Sequence, residues 1–226
     1  MDSIEITQDI YQVGGKALTS EEDAAIYLIH FKGHAALVDA GCGRSEEALL
    51  KNIRSCGVDP GQIEYLLLTH CHFDHTGGAK SLKKRLGCQV IAHALDVPFL
   101  ERGDDIVTAA SWYGASIQGF AVDTVLSGAE EDIELGSHVI KAIHAPGHSP
   151  GSVVYLTESQ GMKVLFAQDV HGPLHPSLLS NKEDFSQSLK QLVSIRADVL
   201  CEGHFGIIRG KGAVDRFIRS YLLEYG

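Results

Sequence analysis

The sequence predicts an α/β (α+β) fold in which strands and helices alternate through two similar halves. Three observations carry this. Short apolar runs bounded by turn residues recur along the chain and read as buried strands. Segments with apolar residues at helical spacing lie between them. The second half repeats the theme of the first, and no linker or low-complexity stretch interrupts the 226 residues, so a single domain over 1–226 is expected.

The elements follow in order. Short strands are expected over 4–7, 10–13, 25–30 and 35–39. Ser45 is placed to cap a helix reaching about Cys56, with Leu49, Leu50 and Ile53 on one face. A strand over 65–69 leads into a histidine-rich loop, and a helix from about Gly78 to Arg85 follows, with Thr76 as its expected cap. A strand over 89–92 and a helix near 94–102 close the first half. The second half offers strands over 139–143, 153–156 and 164–167, a helix over 182–195 and a strand over 199–201. A last helix from about Ala213 carries Val214, Phe217, Ile218 and Leu222 on one face.

Composition narrows the class. The chain is 44% hydrophobic and 21% charged, ordinary for a soluble globular protein. No apolar run approaches the ~18 residues that cross a bilayer, so no membrane partner is expected. Met1-Asp2-Ser3-Ile4-Glu5 lacks the basic start and apolar stretch of a signal peptide. The formal net charge is −10, which argues against nucleic acid as a partner. Lys83-Lys84-Arg85, the only basic cluster, reads as a solvated helix face. Five cysteines at scattered spacings, with no C-x-x-C pair, read as reduced thiols, and a cytoplasmic location is expected. The expected partner is a small-molecule substrate; a homodimer is compatible with this.

The densest chemistry lies in Thr69-His70-Cys71-His72-Phe73-Asp74-His75-Thr76-Gly77-Gly78. Neutral imidazole and carboxylate together suit zinc, iron and manganese. His70 and His72 are two positions apart, so at a strand end they point to one side and reach one ion. Asp74 and His75 lie where the chain turns and can reach a second ion. Cys71 and Phe73 should point the other way, into packing. Three further candidates occur downstream at probable strand ends: His148 in a Gly/Pro-rich turn, Asp169 after Val164-Leu165-Phe166-Ala167, and His204 after Val199-Leu200.

Together with Val38-Asp39-Ala40-Gly41, these residues resemble the metallo-β-lactamase superfamily, and within it the glyoxalase II-type hydrolases. The resemblance covers nearly the whole chain, from Ile4 to the C-terminal helix. It implies an αββα sandwich of two mixed sheets with helices outside and metals at one edge. It further implies one ion on His70, His72 and His148, a second on Asp74, His75 and His204, and Asp169 bridging them. Two divalent metal ions are therefore expected, with zinc first and iron or manganese as alternatives. Zinc β-lactamases typically carry cysteine where Asp169 stands, which argues against antibiotic hydrolysis. Fewer than about twenty residues follow Arg209, too few for the helical glutathione-binding domain of glyoxalase II, so a glutathione thioester is not the first expectation.

Such a pair of ions, ~3.5–4 Å apart, lowers the pKa of a shared water to roughly 7 and yields a bridging hydroxide. The expected reaction is hydrolysis of a small thioester, lactone or ester. Asp74 is the expected catalytic group, orienting the hydroxide and carrying its proton to the leaving group. Asp39 is a candidate partner for the outer nitrogen of a ligand histidine, or else a plain turn residue before Gly41. Trp112 and Tyr113 form either a lid or part of the core. His171 and His175, in the Gly/Pro-rich loop after Asp169, are candidates for substrate or proton contacts. The competing reading is a mononuclear iron persulfide dioxygenase that would use His70, His148 and Asp169.

Overall fold

The computed structural model describes residues 3–167 and 169–225. Seven strands form one sheet in chain order: β1 (Ile4–Thr7), β2 (Ile10–Gly14), β3 (Ile26–Phe31), β4 (His34–Val38), β5 (Ile63–Leu67), β6 (Gln89–His93) and β7 (Thr124–Leu126). Pairing is antiparallel through β4 and parallel from β4 to β7. Six strands form the other: β8 (Glu130–Leu135), β9 (His138–His144), β10 (Val153–Ser159), β11 (Met162–Phe166), β12 (Val199–Glu202) and β13 (Gly206–Arg209). Here only β11 and β12 run parallel. The helices are α1 (Glu46–Ser55), α2 (Phe73–Thr76), α3 (Ala79–Leu86), α4 (Val97–Arg102), α5 (Lys182–Ile195) and α6 (Lys211–Tyr225).

Side-chain alternation builds the layers. On β3, Tyr27, Ile29 and Phe31 enter the core between the sheets, while Ile26 and Leu28 face Leu49, Leu50 and Ile53 of α1. The inner core continues through Val38, Leu67 and Ile91 to Ile140, Tyr155 and Phe166 of the opposite sheet. The far face of that sheet packs Leu165 and Leu200 against Phe185 and Leu189 of α5 and Val214 and Ile218 of α6. The result is the expected αββα sandwich of two mixed sheets. Each large apolar side chain buried this way contributes roughly 1.5–3 kcal/mol. Two tyrosines fasten the sheets to each other near one end: Tyr27 Oη donates to the Glu202 carbonyl at 2.7 Å, and Tyr155 Oη to that of Leu68 at 2.9 Å.

Several boundaries differ from the sequence expectation. β4 stops at Val38 because Asp39 takes φ 65°, which turns the chain out of the sheet. β5 covers Ile63–Leu67 rather than 65–69, since the Thr69 N–H goes to the Asp39 carboxylate instead of the ladder. Thr76 does not cap α3; it ends α2 and its hydroxyl donates back to the carbonyls of Cys71 and His72. Gly78 precedes α3, and α6 begins at Lys211 rather than Ala213. β7, β8 and β13 lie outside the strands that the sequence predicts; β8 reads Glu-Glu-Asp-Ile-Glu-Leu, too acidic to resemble a buried strand. Lys83 and Arg85 are not merely solvated, for they tie α3 to Asp123 and to Glu46 of α1.

Candidate metal centre

The loops after β5, β9, β11 and β12 meet at one edge of the sandwich and bring all seven expected donors together. His70 and His72 lie on the loop after β5, Asp74 and His75 in α2, His148 after β9, Asp169 after β11 and His204 after β12. One donor atom from each of His70, His72 and His148 lies within 4.8 Å of the others, and so does one from each of Asp74, His75 and His204. Asp169 stands between the sets. Its Oδ1 is 3.3 Å from His75 Nε2; its Oδ2 is 3.4 Å from His148 Nε2 and 3.3 Å from His204 Nε2.

Asp39 organises part of this array. Its buried carboxylate accepts from the Thr69 N–H at 2.8 Å, from the Thr69 hydroxyl at 2.8 Å, and from His75 Nδ1 at 2.7 Å. With its proton given to Asp39, the Thr69 oxygen is free to accept from His70 Nδ1, 3.0 Å away. This relay holds a ring proton of His70 and of His75 on Nδ1 and turns both Nε2 atoms toward the centre, where His75 offers a lone pair once its second proton leaves. Asp39 is therefore more than a turn residue.

The electrostatics suit a cation. Buried ring nitrogens without a hydrogen-bond partner include Nε2 of His70, His72 and His75 and both nitrogens of His148, with Asp169 Oδ1 beside them. Leaving each such group unpaired costs ~1–3 kcal/mol, a cost that cations held within the donor groups would remove for the atoms facing them. Burial, reinforced by neighbouring histidines, pushes the pKa of His70 and His72 well down, so both are neutral donors. Burial also opposes charge on His75 and His204, but Asp169 and its neighbouring carboxylates outweigh it. His75 is raised well above its ordinary value and His204 to about 10. Burial likewise works against the charge of Asp74 and Asp169, yet His75 and the other imidazoles hold both low.

Backbone constraints hold the loops close. A Cβ on Gly203 would stand 2.2 Å from Asp169 Oδ1, so only glycine lets the β12 turn approach the carboxylate. Gly147, at φ 127°, lets the His148 turn pass the Phe185 backbone of α5. Cys71 is buried in the outer core and is not among the grouped donors.

The rim is only partly as expected. Trp112 is 52% exposed, so it is not a core residue, and its ring meets His175 edge-on at 5.4 Å. This contact joins the two expected rim segments. His175 Nδ1 accepts from the Ser177 N–H at 3.2 Å at the start of a 3-10 turn. Tyr113 packs against the core and Phe73, and a hydrogen bond to Asp74 raises its hydroxyl pKa further than burial alone. His171 Nδ1 meets the fully buried Glu202 carboxylate at 2.7 Å, and its ring lies 5.1 Å from that of His204. Sequence reasoning missed Thr69, Asp96, Glu202 and Phe205. Glu202 carried a signal, a lone charge in an apolar strand; Phe205, 58% exposed beside His204, carried none.

The metallo-beta-lactamase superfamily model matches residues 20–204. A hydroxyacylglutathione hydrolase of Anaeromyxobacter dehalogenans is 32% identical over 133 residues, covering 59% of this chain and 42% of that one. Acyl-coenzyme A thioesterase MBLAC2 of Gallus gallus is 27% identical over 245 aligned positions, covering 96% of this chain and 84% of that one. The chain spans 42% to 62% of the length of relatives it matches at 30% to 32% identity. The native metallo-beta-lactamase FEZ-1 of Legionella gormanii superposes with TM-score 0.82 at 20% identity, covering 100% of this chain and 94% of that one. At that identity the likeness shows the fold alone.

Proposed function

Because the chain belongs to the metallo-beta-lactamase superfamily, we propose that it is a dinuclear metal-dependent hydrolase of small thioesters, with lactones and simple esters as the neighbouring substrate classes. The observation that carries this is Asp169, whose two oxygens reach toward both histidine sets at 3.3–3.4 Å. His70, His72 and His148 would hold one ion, Asp74, His75 and His204 the other, with Asp169 shared. Ions so held, zinc first and iron or manganese otherwise, would supply Lewis acidity that brings the pKa of water to about 7 and polarises a carbonyl.

The chain's own residues do the rest. Asp39 and Thr69 keep His70 and His75 in the tautomer that presents Nε2. Asp74, held ionised by His75 and His204 against burial, is the group to orient water and pass its proton to a leaving thiolate. His204 is the most open of the seven, its side chain 33% exposed, so substrate approaches from its side. Phe205 and His171, 5.1 Å apart, wall that approach with apolar and aromatic surface. A small, largely apolar acyl group suits such a wall. The named activities of the hydroxyacylglutathione hydrolase and acyl-coenzyme A thioesterase relatives, each acting on an acyl group carried by a thiol, support thioesters as the first class.

The test is turnover of metal-loaded protein on acyl thioesters of glutathione and coenzyme A and on lactones, followed by thiol or acid release. Asp74→Asn should lower kcat by ~10²-fold or more. Inactivity across the panel, with oxygen consumed on a persulfide instead, would favour the iron dioxygenase reading.

A further inference from the structure

Asp96 lies just before α4, outside the donor set, and its position suggests a helix cap. It makes no capping hydrogen bond. Its carboxylate is instead fully buried and accepts from neutral donors only, two backbone N–H groups, a hydroxyl and the Cys71 thiol. Oδ2 takes the Cys71 N–H at 2.9 Å and the Ser149 hydroxyl at 2.7 Å; Oδ1 takes the Gly151 N–H at 2.7 Å. Cys71 stands between His70 and His72, and Ser149 follows His148. One carboxylate thus clamps the two loops that carry the first histidine set. The clamp is tight: a Cβ on Gly151 would lie 2.6 Å from the Asp96 carboxyl carbon. Ser149 is braced in turn, its N–H donating to Ser152 Oγ at 3.0 Å.

We infer that Asp96 is a positioning residue for the His70, His72 and His148 metal site alone, distinct from the Asp39 brace. This rests on the dinuclear reading above. Asp39 reaches His75 directly and His70 through Thr69, whereas Asp96 reaches the Cys71 N–H between His70 and His72, and the Ser149 hydroxyl and Gly151 N–H just after His148. Replacing Asp96 by Asn leaves the shape nearly unchanged but turns one acceptor into a donor. At Oδ1 the new amide meets the Gly151 N–H; at Oδ2 it meets the Cys71 N–H. Either way two donors face each other, and the two loops part. The Asp39 brace is untouched.

The experiment is stepwise zinc titration of chelator-stripped full-length wild type and Asp96→Asn, with a competing chromophoric chelator and histidine-ring NMR. Wild type should take two equivalents. Asp96→Asn should keep one within a few fold of wild type and bind the other ~10–100-fold more weakly. At one equivalent, the His75 and His204 rings should move to their bound positions while those of His72 and His148 stay free. Ser149→Ala, which removes one donor and keeps both backbone contacts, should show the same selectivity at about 5-fold. It also serves if Asp96→Asn does not fold. Equal weakening of both equivalents, or no weakening in either folded variant, overturns the inference. A wild type that takes fewer than two equivalents overturns the dinuclear reading itself.

Discussion

Asp39→Asn probes the relay that sets histidine tautomers on both sides of the centre. The side chain keeps its size, and Asn tolerates the left-handed backbone at φ 65°. Its amide cannot satisfy all three donors that the carboxylate accepts. In one orientation the new NH2 faces Thr69 Oγ1 and His75 Nδ1. The Thr69 hydroxyl must then turn to donate to His70, and His75 Nδ1 must accept. Both rings move their proton to Nε2, and both lose the lone pair that faces the centre. In the other orientation the NH2 meets the Thr69 N–H, leaving a buried donor unpaired at ~1–3 kcal/mol. The first orientation leaves no donor unpaired and is the one adopted, so metal affinity should fall by ~10–100-fold, or about 1.4–2.8 kcal/mol. The assay is zinc competition on the stripped protein, with ring tautomers read from nitrogen chemical shifts. Wild-type affinity with Nδ1 protonated on both rings would refute the relay.

Removing the shared carboxylate in Asp169→Ala should lower metal occupancy and cut turnover by ~10²-fold or more while the circular dichroism of the sandwich persists, because its cores lie away from the site; normal metal content would contradict the bridging role. Metal-free protein should lose stability from about pH 6.5 upward through pH 10, because Asp169 and Asp74 raise His204 to about 10 against burial, and a raised folded pKa contributes fully only below the unfolded value. Zinc added at pH 7 in weak buffer should accordingly release protons from His75 and His204; a titration without proton release would show that these rings are already neutral. Phe205→Ala should flatten the dependence of kcat/KM on acyl chain length by roughly 10-fold or more, since each methylene held by such a wall is worth ~1–3 kcal/mol. Trp112→Ala should do so as well if the rim reaches as far as the contact with His175; an unchanged profile in both variants would place substrate elsewhere.

The layered fold was legible because burial on both faces makes central strands read as continuous apolar runs, as in β3 and β10. The same property hid their ends, since nothing apolar marks where β5 gives way to the loop at Leu68. Edge strands failed for the opposite reason: the acidic β8 and the short β7 and β13 present too little apolar pattern. The seven donors were legible because histidines and aspartates at strand ends carry their chemistry in their identity. Asp96, Thr69 and Glu202 were not, because an Asp before a helix or a Thr at a turn is ordinary in sequence. Their importance comes from long-range contacts, such as the 53 positions separating Asp96 from Ser149. The sequence alone leaves Trp112 open between lid and core; its exposure and its contact with His175 place it outside the core.

The most direct measurement is the number and identity of transition-metal ions per chain, by elemental analysis of protein purified without added metal and again after gentle reconstitution. Two ions per chain, zinc first, with thioester hydrolysis lost to a chelator and restored by metal, is the result expected from seven converging donors. One ion or fewer after reconstitution, or iron alone with oxygen uptake on a persulfide, would contradict the dinuclear hydrolase.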